Sequence, residues 1–211
     1  MKKLIIIGAR GYGRIVYNIA VDSIEHGADF QIKGFLDGKS DALDGLDGYP
    51  PILSSVEDYE IQPNDVFICA LGESKYKKEY AEKILAKGGE FISIISPKAY
   101  MQTNVKLGKG CVIGYMSSIG CDTTIGDFVT VLSYANIGHD VTIGDWSHVG
   151  ADTFMGGFSS LGENVMLQTG AKIIPHKKVG DYAYVGIGSI VMKSVKSGTT
   201  VLGYPAKVID I

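Results

Sequence analysis

From Leu107 to Val185 every sixth residue is aliphatic: Leu107, Ile113, Ile119, Ile125, Val131, Ile137, Ile143, Val149, Met155, Leu161, Leu167, Ile173, Val179 and Val185. Glycine follows directly in most blocks, and only Leu132, Gln168 and Ile174 interrupt that second column. Four places after the aliphatic comes a small or thin side chain, as at Cys111, Ser117, Thr123, Val129, Ala135 and Val141. The register never slips. Such a repeat marks a parallel β-helix built from hexapeptides. Three hexapeptides close one triangular coil, so residues 18 apart stack in a column at about the ordinary strand spacing of 4.8 Å. The aliphatics are expected inside, the small residues fill the narrow prism, and the glycines are expected to permit the tight turns.

The rest of the chain has to be compatible with that solenoid. Hydrophobic residues make up 45% and charged residues 20% of the 211, which suits a soluble globular protein. The net charge of −3 supplies no global basic field for nucleic acid or an anionic membrane. No apolar run approaches the roughly 20 residues of a membrane span. The opening Met1–Ile7 is too short for the apolar part of a signal peptide and stops at Gly8, so it reads as a strand. Cys69, Cys111 and Cys121 are widely spaced, which predicts a reducing cytoplasm and no disulfide framework.

Residues 1–95 carry no repeat and form one expected domain, with residues 96–211 as the other. Strand signals at Leu4–Ile7, Gln31–Leu36, Asp65–Leu71 and Phe91–Ile95 alternate with helix signals at Tyr12–Ser23 and Ser74–Lys87. That alternation predicts a small parallel α/β sheet. Asp41–Pro51 reads as a loop and Val56–Tyr59 as one helical turn, and Tyr76, Tyr80, Ile84 and Leu85 are expected on the inward face of the second helix. Gly8-Ala9-Arg10-Gly11-Tyr12-Gly13 follows a strand and opens a helix, the setting of a phosphate cradle. It is not the dinucleotide GxGxxG. A packing turn is its other reading.

Column arithmetic locates the unusual residues of the solenoid. His139 has Cys121 one coil before it and Gly157 one coil after, so bare backbone lies beside the imidazole. Histidine exchanges a proton near neutral pH, and a glycine N–H can stabilise an oxyanion. Asp140 stacks over Phe158 and then His176, and it is a candidate to orient His139. His148 lies half a coil away, on another side of the prism, where a neighbouring subunit could approach in a trimer. His176 reads as a solvated corner. Tyr115 and Met116 are expected outward at an inter-subunit contact, and Trp146 fits core, interface or ligand platform.

These residues together resemble the sialic acid O-acetyltransferase/bacillosamine N-acetyltransferase family of hexapeptide-repeat sugar acyltransferases. The motifs are Gly8–Gly13, then Gly34-Phe35-Leu36-Asp37, Ala70-Leu71-Gly72-Glu73, Gly138-His139-Asp140, Ser147-His148-Val149 and Gly203-Tyr204-Pro205-Ala206-Lys207. The resemblance implies a Rossmann-like α/β N-terminal domain followed by a left-handed parallel β-helix. It implies a homotrimer with acetyl-CoA in the groove between two solenoids. It implies that His139 is the general base and Asp140 its partner, that Gly157 lines the thioester pocket, and that His148, Gly186 and Gly188 flank the CoA. Gly8, Gly11, Tyr12, Gly13, Asp37 and Gly72 are implied to surround the nucleotide of a nucleotide-sugar acceptor, with Asp37 accepting from its ribose or base, and the sugar is delivered to His139 in the trimer. No metal, nucleic-acid partner or membrane span is implied. Gly38, Tyr12 and Leu132 depart from the family pattern, which bears on the acceptor more than on the chemistry.

N-acetylation of a nucleotide-linked amino sugar is thus the leading expectation. O-acetylation of a sugar hydroxyl would use the same base. A zinc carbonic anhydrase needs three converging histidines, and His139, His148 and His176 lack the close pair. A non-catalytic nucleotide-sugar sensor would have no use for the His139–Gly157 column.

Overall fold

A computed structural model describes residues 1–209 in two compact units, residues 1–95 and 96–209. In the first unit Lys2–Ile7 (β1) ends in a run of aliphatics, Leu4–Ile7, buried on both faces. It therefore takes the centre of a parallel sheet, as a strand with no polar face must. Phe30–Leu36 (β2) and Asp65–Cys69 (β4) flank it. Ile52–Ser54 (β3) and Glu90–Phe91 (β5) form the edges, in the order β3-β2-β1-β4-β5. Gly11–Glu25 (α1) and Ser74–Ala86 (α2) connect the strands. The sequence signals found these elements except β3, a three-residue edge strand masked by the prolines before it. Val56–Tyr59 is a turn, not a helical one. The run expected at Phe91–Ile95 breaks: Glu90–Phe91 pairs with β4, and Ile94–Ile95 (β6) leaves that sheet.

The inward face of α2 also differs from the expectation. Lys77, Ala81 and Ile84 are buried, whereas Tyr76 is 48% exposed and Tyr80 half-buried. Hydrophobicity alone assigned the two tyrosines to the core, but that flank of the helix borders a cavity. Lysine tolerates burial of its long aliphatic stem. Gly88, at φ +84, closes the helix, with Gly89 N–H donating to the Ile84 carbonyl and Gly88 N–H to that of Leu85.

The second unit is the solenoid, a left-handed parallel β-helix. Two-residue strands stack in three parallel sheets with a register of 18: Ser118–Asn136–Phe154–Lys172 on one, Thr124–Thr142–Ser160–Lys178 on the next and Thr130–His148–Met166–Tyr184 on the third. The aliphatic column from Ile113 to Val191 and the small column with it make one continuous buried core. Interior hydroxyls turn back to carbonyls, as Thr123 does to Gly138 and Ser147 to Gly162.

The glycine column serves a different purpose from the one expected. The left-handed turn conformation falls mostly on other residues, recurring every sixth position through Met116, Asp122, Phe128, Tyr134, Asp140, Trp146, Asp152 and Phe158. The glycines after the aliphatics are needed because the next coil passes too close for a Cβ. At Gly120, for instance, one would lie 2.5 Å from the His139 backbone nitrogen. At Gly126 it would strike the carboxylate of Asp145, which accepts the Asp127 N–H of the coil before. Among the outward residues, Met116 is exposed, Tyr115 is half-buried with Lys98 over its ring, and Trp146 stacks on buried Phe128 with centroids 4.1 Å apart.

Candidate active site

His139 and Asp140 form the turn that follows the strand Asn136–Ile137. Side chains adjacent in sequence usually diverge. Here Asp140 sits at φ +55, and the left-handed turn folds its carboxylate back onto the ring. Asp140 Oδ2 lies 2.7 Å from His139 Nδ1. With Nδ1 as the donor to Asp140, Nε2 is the free basic nitrogen. Nε2 faces the column neighbour Gly157, where an added Cβ would lie 2.7 Å from it. Gly156 and Phe158 spend their N–H groups on the carbonyls of Ile173 and His139, while the Gly157 N–H is not used in the coil ladder. A proton acceptor thus lies beside a backbone stretch whose Gly157 N–H is outside the coil ladder among the described residues, a combination suited to acyl transfer.

Cys121, one coil before His139, offers no competing nucleophile. Its thiol is held above the usual thiol range, first by desolvation and then by the carboxylates of Asp122 and Asp140. The other side of the imidazole has a feature that the sequence did not bring out. Phe158 meets the His139 ring edge-to-face at 5.1 Å and 89°, and His176 stacks on Phe158 at 5.1 Å and 4°. The column arithmetic placed these residues near one another but gave no ring geometry.

The remaining solenoid candidates do not gather around His139 within one chain. His148 projects from the third sheet, in a stack with Thr130, Met166 and Tyr184. Gly186 follows Tyr184–Val185 of that same sheet, and the space its side chain would take is filled by Leu202. Gly188, at φ +64, is open. Among the described residues no group of three or more His, Cys, Asp or Glu is arranged to hold a metal ion.

In the N-terminal unit a cavity of about 480 Å³ opens at the C-terminal ends of β1, β2 and β4. Parallel sheets bind ligands at that end. Gly8, Tyr12, Gly13, Asp37 and Gly72 line it, but Gly11 does not. Gly8 takes φ +98, and a Cβ on Gly13 would run into the Gly8 carbonyl oxygen. Both glycines are therefore fixed by the turn itself. The Asp37 carboxylate braces the loop, accepting the Ala9 N–H at 2.9 Å through Oδ2 and the Lys39 N–H at 3.0 Å through Oδ1. That differs from the expected role of accepting from a ribose or base. Arg10, Glu73, Tyr76 and Tyr80 also line the cavity and were not singled out from the sequence as ligand-facing. Arg10 and Glu73 are the N-cap residues of α1 and α2, and neither side chain caps its helix. The first turns of both helices thus lack a side-chain cap beside the cavity, a setting that suits anionic groups.

Comparison with known proteins agrees with both halves of this description. Residues 3–84 match the model of the PglD N-terminal domain, and residues 122–157 match that of the bacterial transferase hexapeptide, six repeats. The chain is 29% identical over 204 residues to GDP-perosamine N-acetyltransferase of Escherichia coli O157:H7, covering 94% of this chain and 81% of that one. It is 28% identical over 117 residues to UDP-N-acetylbacillosamine N-acetyltransferase of Bacillus subtilis strain 168. That match covers 54% of this chain and 51% of the relative, about half its length. The fold is shared with a mutant of GDP-perosamine N-acetyltransferase from Caulobacter crescentus, solved with CoA and GDP-perosamine. Its TM-score is 0.89 at 23% identity, over 100% of this chain and 98% of that one. The acetyltransferase domain of PglB from Neisseria gonorrhoeae FA1090, solved with acetyl coenzyme A, has a TM-score of 0.89 at 24% identity, covering 99% of each chain. The fold is that of hexapeptide-repeat β-helix proteins carrying an N-terminal α/β domain. Along most of its length the chain is similar to a nucleotide-sugar N-acetyltransferase, and its two halves match a PglD-type N-terminal domain and hexapeptide repeats.

Proposed function

We propose that this protein is an acetyl-CoA-dependent N-acetyltransferase acting on a nucleotide-linked amino sugar, with His139 as the general base. The observation that carries the reading is the Asp140–His139–Gly157 arrangement: Nδ1 held by a carboxylate, Nε2 free and facing bare backbone. The amino nitrogen of the acceptor attacks the thioester carbonyl carbon and passes its proton to Nε2. The carbon–sulfur bond breaks, and the departing CoA sulfur is reprotonated. The Gly157 N–H offers a hydrogen bond to the carbonyl oxygen as it gains charge. The cavity of the N-terminal unit takes the nucleotide, whose phosphates suit the helix N-termini and Arg10. Relatives named as N-acetyltransferases of nucleotide-linked amino sugars support nitrogen over oxygen as the acceptor atom.

The assembly we propose is a homotrimer working in the cytoplasm. His148, Gly186 and Gly188 lie on a different side of the prism from His139, so a CoA touching both sets needs a second copy of the chain. Exposed Met116, Tyr134 and Ile187 give apolar surface for that contact, and cyclic symmetry closes it. The test is thiol release from acetyl-CoA with GDP-perosamine and a panel of UDP- and GDP-linked amino sugars. A hydroxylamine-resistant amide product supports the reading. A hydroxylamine-labile ester makes the enzyme an O-acetyltransferase, and no thiol release with any acceptor overturns both.

A further inference from the structure

We infer that Phe158, backed by His176, is a positioning residue that fixes the plane of the His139 imidazole. The inference rests on the reading of His139 as the general base and extends it to residues that do not touch the reacting atoms. The His139 side chain is 55% exposed, and among the described residues it hydrogen-bonds to Asp140 alone, itself 41% exposed. A single hydrogen bond to a partly exposed carboxylate leaves the ring free to swing about it. A base that must present Nε2 to one point needs a second restraint.

Phe158 is placed to give that restraint. Its ring lies perpendicular to the imidazole at 5.1 Å, a favoured edge-to-face geometry. Its N–H donates to the His139 carbonyl at 3.1 Å, which ties the two backbones together across coils. The phenyl ring leaves 52% of its surface exposed, so burial in the core does not account for it. His176 stacks on Phe158 almost parallel, and its N–H donates to the Gly157 carbonyl, so the phenyl ring is supported from the coil beyond. Imidazole, phenyl and imidazole thus form a three-ring ladder with the candidate base at one end and Gly157 beside it.

Two readouts on the full-length protein test the inference. In histidine-selective 15N spectra, wild-type His139 should show a single tautomer protonated on Nδ1. Phe158→Leu should show averaged ring signals at an unchanged melting temperature. In the acetylation assay, Phe158→Leu should lower kcat roughly three- to tenfold with KM for acetyl-CoA unchanged, the change to which one aromatic pair contact converts. His176→Ala should give a smaller loss of the same kind, and His176→Phe should recover it by restoring a stacked ring. If Phe158→Leu melts early, the two His176 variants decide: recovery in the phenylalanine variant supports the ladder, and equal kcat in both overturns it. An unchanged tautomer signal and kcat in Phe158→Leu also overturn it, as does a rise confined to KM for either substrate. If the wild-type protein acetylates no amino-sugar nucleotide, the proposed reaction fails, while the nitrogen spectra still decide whether Phe158 orders the ring.

Discussion

A Cβ placed on Gly157 would lie 2.7 Å from Nε2 of His139 and 2.8 Å from its Cε1. No backbone atom is among its nearest neighbours, so an added methyl is opposed by a side chain that can rotate away. Gly157→Ala should therefore fold normally and displace the imidazole from its hydrogen bond with Asp140. We expect unchanged melting and a kcat lowered by roughly tenfold or more, since a small misplacement of a catalytic group is costly. Gly157→Leu extends into the space proposed for the thioester and should also weaken acetyl-CoA binding. Unchanged turnover in the alanine variant and unchanged calorimetric affinity in the leucine variant would place the acyl groove elsewhere.

Removal of the base gives a graded series. His139→Ala should lose about 10²–10⁴-fold in rate, the usual contribution of general-base catalysis, while the exposed position leaves the buried column intact. Asp140→Asn should lose less, because the amide oxygen still accepts from Nδ1 while the stabilising charge is gone. Steady-state kinetics with acetyl-CoA and the acceptor identified by the panel checks the order. Near-full turnover by His139→Ala sinks the assignment.

The solenoid was legible because a hexad repeat is dictated by steric needs repeated at every coil. One polar residue in the aliphatic column would open the prism, and a Cβ at most glycines of the next column would strike the following coil, although Leu132, Gln168 and Ile174 are accommodated there. The same arithmetic put Gly157 beside His139. It could not show that Asp140 returns to its neighbour, because that depends on a left-handed φ which the period alone does not specify. Nor could it show the ring ladder, which depends on rotamers. In the N-terminal unit, hydrophobic ranking put Tyr76 and Tyr80 inside and overlooked Lys77, since a helix flank bordering a cavity keeps aromatic residues that contribute nothing to the core. Asp37, picked out from the sequence, lines the cavity and braces the glycine loop with its carboxylate.

Two glycines of the nucleotide cavity separate structure from binding. A Cβ on Gly72 meets nothing within 4 Å, and the residue lines the cavity. Gly72→Val should fold, raise the acceptor KM and leave acetyl-CoA affinity alone, because it touches one substrate only. Gly13→Ala drives a methyl into the Gly8 carbonyl and should destabilise the unit by about 1–3 kcal/mol, as overpacking does. Thermal melts and calorimetry on both variants check the contrast. Equal effects of Gly72→Val on both substrates would mean that the cavity does not serve the acceptor alone.

The pH range over which the N-terminal unit is stable should be set in part by one ion pair. Asp65, whose side chain is fully buried, accepts from Lys33 Nζ at 2.8 Å, the Tyr59 hydroxyl at 2.7 Å and the Gln62 N–H at 2.8 Å. Burial alone would raise its carboxyl, but the bonds from Lys33, Tyr59 and Gln62 outweigh it and hold the group below the usual carboxylate range. Burial likewise opposes charge on Lys33, yet its bonds to Asp65 and Tyr59 hold the ammonium above its ordinary value. A lowered carboxyl contributes its full stability above the unfolded value of about 3.9 and loses it as pH falls through the folded one. A raised ammonium contributes below about 10.4 and loses its share as pH rises through its folded value. The pair therefore predicts a plateau between these limits, with losses at both ends. Asp65→Asn should cost about 3 kcal/mol, the lower end for a broken buried pair, because Lys33 keeps some access to water. It should also flatten the acid arm. Urea unfolding across pH, followed by the helical circular-dichroism signal of α1 and α2, measures both effects, and an acid slope identical to wild type would remove the ion pair from the explanation.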